Sequence, residues 1–366
     1  KFTNEGDYEE REKKYEERSN PLPTFIEEKC EEEAGCKIKL QEFGNEFNAW
    51  LKSKRLRILK YKENFGQGEG FCLPIGAKIE VEDIQFYTGG GGTNTAATFA
   101  LQGFNTAFYG AVGRDSAGQE IINELKKVKV DTSFVVKKDE RPTNHSIIIL
   151  QKGQDRTILT YRGVADLLDR KDILFNAIKA KWVYLAPLCD LLCGAFEEIV
   201  RFATRSRIKI AVNPSMEQLS LPMEKLKRVF NNVNVLFLNK EEASFLTKVP
   251  YNKEKEIFKR IDKMCPGVAV MTKGAEGVVV SDGKYLYSAK PHKQRKVVDT
   301  TGAGDSFASG FLSDFIRYNG NIKKAIQLGM ANSEGNISEF GAKDGLLKKG
   351  QKFKRVEDSE AKIPKN

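Results

Sequence analysis

From Trp182 to Val280 the sequence alternates short apolar runs with amphipathic stretches, and this rhythm is the tightest limit on what the chain can fold into. Runs at Trp182–Leu185, Ile208–Asn213, Val233–Leu238, Gly267–Met271 and Gly277–Val280 are rich in β-branched residues and read as strands. Helical spacing fits near 193–204, 221–230, 240–247 and 252–264, and once more at 321–337. Strands separated by helix-length segments pair most simply in parallel. The expected fold class is therefore α/β, a doubly wound, mostly parallel sheet with helices on both faces. Such sheets bind ligands at the carboxyl ends of their strands. Polar residues punctuate those ends here: Asn213-Pro214-Ser215, Asn239-Lys240-Glu241-Glu242 and Thr272-Lys273-Gly274.

The segments before Trp182 read differently. A strand is expected over Thr106–Val112, followed by a helix to about Lys127. Residues 71–87 alternate in polarity (Ile79, Val81, Ile84, Phe86), and Ser146–Leu150 and Thr157–Tyr161 flank a hairpin turn at Lys152–Asp155. These pieces suit short antiparallel strands.

Charge divides the 366-residue chain further. Residues 1–36 hold twelve Asp/Glu against six Lys/Arg, a net of −6, so with +10 for the whole chain the remainder carries +16. The first 36 residues read as a flexible acidic extension, a candidate arm for a protein partner. Residues 37–347 form the main domain, and the basic residues from Lys348 to Asn366 read as a frayed tail. The lysines of the body are spread without aromatic interleaving, so a solvated surface is expected rather than a nucleic-acid site. No run approaches the ~18 apolar residues of a membrane span. The chain starts at Lys1 without Met and shows no signal-peptide pattern, which points to the cytoplasm, or to an organelle interior if an upstream targeting segment is missing. Six scattered cysteines suggest reduced thiols.

One stretch carries chemistry. In Val298–Phe311, Asp299 closes an apolar run, Gly302, Ala303 and Gly304 make a bare turn, and helical spacing follows from Asp305. Small residues at a helix start leave backbone N–H groups facing an anion. A carboxylate among them needs a chemical task, and accepting a proton from an attacking hydroxyl is the one that fits phosphoryl transfer. The alternative for Asp305 is a carboxylate favoured by the helix dipole alone. A second glycine run, Thr88-Gly89-Gly90-Gly91-Gly92-Thr93-Asn94, opens a helix expected over Ala96–Gln102 and lets backbone approach a ligand closely.

On these motifs the chain resembles the ribokinase-like (PfkB) carbohydrate kinases over about residues 37–347. Gly89–Ala96 looks like the N-terminal glycine signature that lines the sugar pocket, and Asp299–Phe307 looks like the C-terminal signature. Asn239-Lys240-Glu241-Glu242 looks like an Asn-x-x-Glu element. The resemblance implies ATP-dependent phosphorylation of a hydroxymethyl group on a sugar-like small molecule. Asp305 would be the base, with the N–H groups of Gly302, Ala303 and Gly304 as anion hole. Gly89, Gly90, Gly91 and Asn94 would bind the acceptor; Asn239, Thr272, Lys273, Gly274 and Asn332 would face the nucleotide. Glu242 would help hold Mg²⁺ through water, and Asp299 with the Thr301 carbonyl would hold a monovalent cation such as K⁺. The segments near 71–87 and within 133–162 would include a small β-rich lid, a surface that also allows a homodimer.

The sequence departs from that family in one place. After the first strand, where relatives carry a sugar-gripping Asp, Ala49 stands by simple count with Asn48 beside it. Asn48 is the remaining candidate for a hydroxyl contact. A neutral acceptor typically contributes less than a charged one, ~0.5–1.5 against ~1.5–3 kcal/mol. The competing reading is a catalytically weakened kinase-like scaffold in a larger assembly. Arg162, ending a lid-region strand, would suit an acidic or phosphorylated sugar, for example of 2-keto-3-deoxygluconate type, if it faces the pocket.

Overall fold

The computed structural model describes residues 83–149, 157–294 and 296–363, together with 78 and 81. The acidic extension, the first strand with Asn48 and Ala49, and the turn at 152–155 lie outside the described residues. The chain divides into two compact units, Lys1–Gln85 and Phe86–Asn366. In the first, residues 83–85 are in neither helix nor strand.

Helix α1 (Gly91–Leu101) begins inside the glycine run, five residues before the expected Ala96. Thr93 and Thr95 steady this start by donating their hydroxyls back to the carbonyls of Gly89 and Gly91, at 2.7 and 2.8 Å. Strand β1 (Gly110–Gly113) leads to α2 (Ser116–Lys127), which Asp115 caps by accepting the Gly118 N–H at 2.7 Å. Strand β2 (Val135–Lys138) returns parallel to β1. Strands β3 (His145–Ile149) and β4 (Thr157–Tyr161) form a separate antiparallel pair with Ile147 opposite Leu159, as expected of this region.

The main sheet starts at β5 (Trp182–Leu185). It continues through α3 (Asp190–Gly194), α4 (Phe196–Arg205), β6 (Lys209–Val212), α5 (Met216–Leu219), α6 (Met223–Phe230) and β7 (Val235–Asn239). Then follow α7 (Lys240–Thr247), α8 (Glu254–Met264), β8 (Val268–Thr272), β9 (Val278–Ser281) and β10 (Tyr285–Ala289). Two long helices, α9 (Ala303–Arg317) and α10 (Ile322–Ile337), precede the last strand, β11 (Asp358–Lys362). The strand order is β11-β10-β9-β8-β7-β6-β5, parallel from β5 to β8 and antiparallel from β8 outward.

Both faces of this sheet are buried, which is why its parallel strands read as continuous apolar runs. On one face Leu236, Leu238, Ala269 and Met271 pack with Phe196, Phe230, Ile257 and Phe258 of α4, α6 and α8. On the other, Val235, Phe237, Val270 and Val280 pack with Phe307, Phe311 and Ile326 of α9 and α10. The fold is the α/β architecture expected.

The tail is a correction. Residues 358–362 pair along β10 with Tyr287 opposite Glu360. Before them, the buried Gln327 side chain exchanges two hydrogen bonds with the Val356 backbone, each 2.9 Å. Basic composition predicted fraying, but a strand at a sheet edge needs only backbone partners. Among the described residues no helix is long and apolar enough to cross a membrane.

Candidate active site

Helix α9 starts where two loops meet. Gly302 caps it in the left-handed region at φ 78°, and a Cβ there would sit 2.8 Å from the Ala342 Cβ. Only glycine fits both demands. A Cβ on Gly304 would meet nothing within 4 Å, so the helix start is bare on that side. The turn is tied internally. Asp299 accepts the Thr301 N–H at 2.9 Å and the Gly341 N–H at 3.1 Å, and Thr300 accepts the Ala303 N–H at 3.3 Å. Of the three N–H groups expected to form an anion hole, that of Ala303 is therefore engaged within the turn.

Asp305 lies in the first turn of α9, and Asn94 of α1 donates its Nδ2–H to Asp305 Oδ2 at 2.8 Å. A Cβ on Gly91 would lie 3.2 Å from Asp305 Oδ1 and 3.4 Å from Pro187, just past β5. The glycine run thus lets α1 settle against the carboxylate. Burial pushes the Asp305 carboxyl above the usual carboxylate range, and the Asn94 hydrogen bond works against that rise. A half-buried carboxylate of raised basicity at a helix N-terminus is suited to accept a proton and then share its site with an anion.

At the strand ends, Asn239 of β7 lies opposite Thr272 of β8. Asn239 and Glu242 form a capping box: Asn239 Oδ1 accepts the Glu242 N–H at 2.7 Å, and Glu242 Oε2 accepts the Asn239 N–H at 2.8 Å. Burial raises the Glu242 carboxyl. Lys273 pairs with Glu254 at 2.8 Å, and Gly274 has φ +54° with open space above it. Among the described residues no group of three or more His, Cys, Asp or Glu could hold a metal ion. Any Mg²⁺ here would rely on Glu242, water and phosphate oxygens, which is its ordinary habit. For a monovalent cation, Asp299 already answers two N–H groups, while the buried Thr301 Oγ1 has no hydrogen-bond partner.

Asn332 is a second correction. It is fully buried, its Nδ2 donates to the Ser306 carbonyl and the Thr98 hydroxyl, and its Oδ1 accepts the Leu347 N–H. With both ends of the amide engaged, it fastens α10 to α9 and α1 instead of facing a nucleotide. Arg162 donates to Cys189 Sγ at 2.6 Å, and among the described residues no hydrogen bond joins it to Asp305 or the glycine run. The structure adds a residue that sequence reading missed, Lys343, which is nearly buried. It pairs with Glu124 at 2.9 Å and donates to the Thr88 hydroxyl, tying the loop beyond α10 to the start of the glycine run. A lone lysine after a Gly-Ala pair gives no sequence signal of this.

Residues 69–349 match the family described as pfkB family carbohydrate kinase. An uncharacterized sugar kinase of Archaeoglobus fulgidus is 27% identical over 249 residues, 67% of this chain and 96% of that protein. Among solved structures, the nucleoside kinase of Methanocaldococcus jannaschii, an archaeal member of the ribokinase family, has a TM-score of 0.64 at 22% identity and covers 76% of this chain and 89% of its own. The Arabidopsis thaliana ribokinase complexed with ribose and ATP has a TM-score of 0.62 at 22% identity, covering 75% and 88%.

Proposed function

The chain belongs to the pfkB family of carbohydrate kinases, and from that premise we propose that it moves the γ-phosphoryl group of ATP to a hydroxymethyl group of a sugar or nucleoside-like acceptor, with Asp305 as base. One observation carries the reading: a half-buried carboxylate at the start of a 15-residue helix, hydrogen-bonded to the glycine-run residue Asn94. The acceptor oxygen attacks the γ-phosphorus, its proton passes to Asp305, and the bond from that phosphorus to the bridging oxygen breaks to release ADP. The N–H groups of Gly302 and Gly304, with the positive end of α9, would face the charge that develops.

The acceptor lies along Gly89, Gly90, Gly91 and Asn94. Thr272, Lys273, Gly274 and Asn239 line the side where the nucleotide enters, at the carboxyl ends of β7 and β8. Glu242 would help hold Mg²⁺, which when bound draws charge from the phosphate oxygens. Asp299 and the Thr301 carbonyl are the candidates for K⁺. The β3–β4 pair is positioned in sequence to serve as a lid that keeps water out.

A scaffold without chemistry gains nothing from a half-buried carboxylate at 305, whose ionisation the partial burial disfavours. The test is turnover of ATP against ribose, adenosine and a panel of sugars and sugar acids. Asp305→Asn should retain the circular dichroism of the parent and lose phosphoryl transfer by at least a hundredfold. A parent protein that phosphorylates nothing in a broad panel sinks the kinase reading in favour of the scaffold.

A further inference from the structure

Tyr184 of β5 carries a hydroxyl that is buried without a hydrogen-bond partner among the described residues. Its ring is held between two elements of the site. It packs edge-on against Phe99 of α1 with centroids 5.7 Å apart, and against Phe237 of β7 at 6.1 Å. Phe99 shares its helix with Asn94, and Phe237 stands two residues before Asn239 on the same face of its strand. Three residues beyond Tyr184, Pro187 lies beside Gly91 at the point that Asp305 also approaches. Tyr184 therefore stands where α1, β5, β7 and the head of α9 converge. Two further buried oxygens of this region, Asn94 Oδ1 and Thr301 Oγ1, also have no partner.

A tyrosine kept only for packing would be better replaced by phenylalanine here. An unpaired buried hydroxyl costs free energy that a hydrogen atom does not. Burial, with the charges of Asp305 and Glu242 adding to it, holds this phenol well above its usual pKa and thus as a neutral donor.

We propose that the Tyr184 hydroxyl is a working group of this site, donating a hydrogen bond to a ligand oxygen seated where α1 and β7 meet the head of α9, a water or phosphoryl oxygen of the bound nucleotide. The proposal rests on the kinase reading and extends it by one residue. A donor at that point eases the repulsion between the Asp305 carboxylate and an anionic group brought towards the head of α9.

The test is Tyr184→Phe, measured in two ways. In the free protein, Tyr184→Phe melts at the same or a higher temperature than the parent. The rise in melting temperature produced by a non-hydrolysable ATP analogue with Mg²⁺ is smaller in the variant. In turnover on the best acceptor of the panel, kcat falls at least tenfold while KM for the acceptor stays within about threefold. Tyr184→Leu is the packing control, and it loses stability without reproducing that split. A variant that keeps both the analogue-induced shift and parental kcat overturns the proposal while leaving the kinase reading intact. So does one that melts well below the parent, because the hydroxyl then has a structural partner. A parent protein with no turnover at all removes the kinase reading, and this proposal with it.

Discussion

Asn94 and Asp305, 211 positions apart in sequence, are joined by one hydrogen bond of 2.8 Å. It links the two glycine-bearing segments directly. Asn94 belongs to the run expected to face the acceptor, yet its amide is turned onto the Asp305 carboxylate. Asn94 thereby lowers the basicity that burial gives Asp305.

That bond governs pH dependence. Burial raises the Asp305 carboxyl and Asn94 lowers it, so removing Asn94 raises it further. In Asn94→Leu, the acidic limb of the kcat profile should move to higher pH, because Asp305 as the proposed base works only when ionised and loses the hydrogen bond that favours its charged form. A profile unchanged from the parent rejects the role given to Asn94.

Gly302 should resist substitution more than Gly304. Gly302→Ala combines a left-handed backbone with a Cβ 2.8 Å from Ala342, whereas at Gly304 a Cβ meets open space. The first change should cost about 1–3 kcal/mol in stability and shift the head of α9. Gly304→Ala should fold like the parent but weaken phosphate binding, where the added methyl intrudes on the anion. Chemical denaturation and nucleotide titration separate the two.

Asp262 offers a stability switch remote from the site. Burial lifts its carboxyl to about 6, with the Ser281 hydrogen bond opposing and the Asp282 charge adding to the rise. A folded pKa above the unfolded one means that stability is fully present at low pH and is lost as pH rises through about 6. Asp262→Asn should therefore melt above the parent at pH 8 and converge with it near pH 4. Equal melting temperatures at both pH values speak against this account.

Removing the last strand tests the corrected tail. A chain ending before Val356 loses β11 and leaves both ends of the buried Gln327 amide without their partner. Each polar group stranded in this way costs ~1–3 kcal/mol. The truncated protein should melt several degrees lower. An unchanged melting temperature restores the frayed tail.

The sequence by itself determined the sheet from β5 to β9, the polar residues at its strand ends and the head of α9. Strands buried on both faces must be apolar throughout, as at Val235–Leu238, and helices between them must show one apolar stripe. Those patterns are local and survive in a one-dimensional reading. The turn at Gly302–Gly304 was legible for the same reason, since bareness is a property of the residues themselves.

Only the tertiary structure decided what depends on distant partners. Asp358–Lys362 has no strand pattern; β10 made it a strand by offering an edge. Helix α1 starts within glycines that disfavour helix, because Gly91 must make room for Asp305, and a Cβ on Gly92 would lie 2.8 Å from the Phe108 ring. Asn332 read as a ligand contact became a fastener once packing engaged both ends of its amide. Tyr184 was silent in sequence, since a tyrosine in a strand is ordinary. Its meaning lies in a hydroxyl that the fold buries between α1 and β7 and leaves without a partner among the described residues.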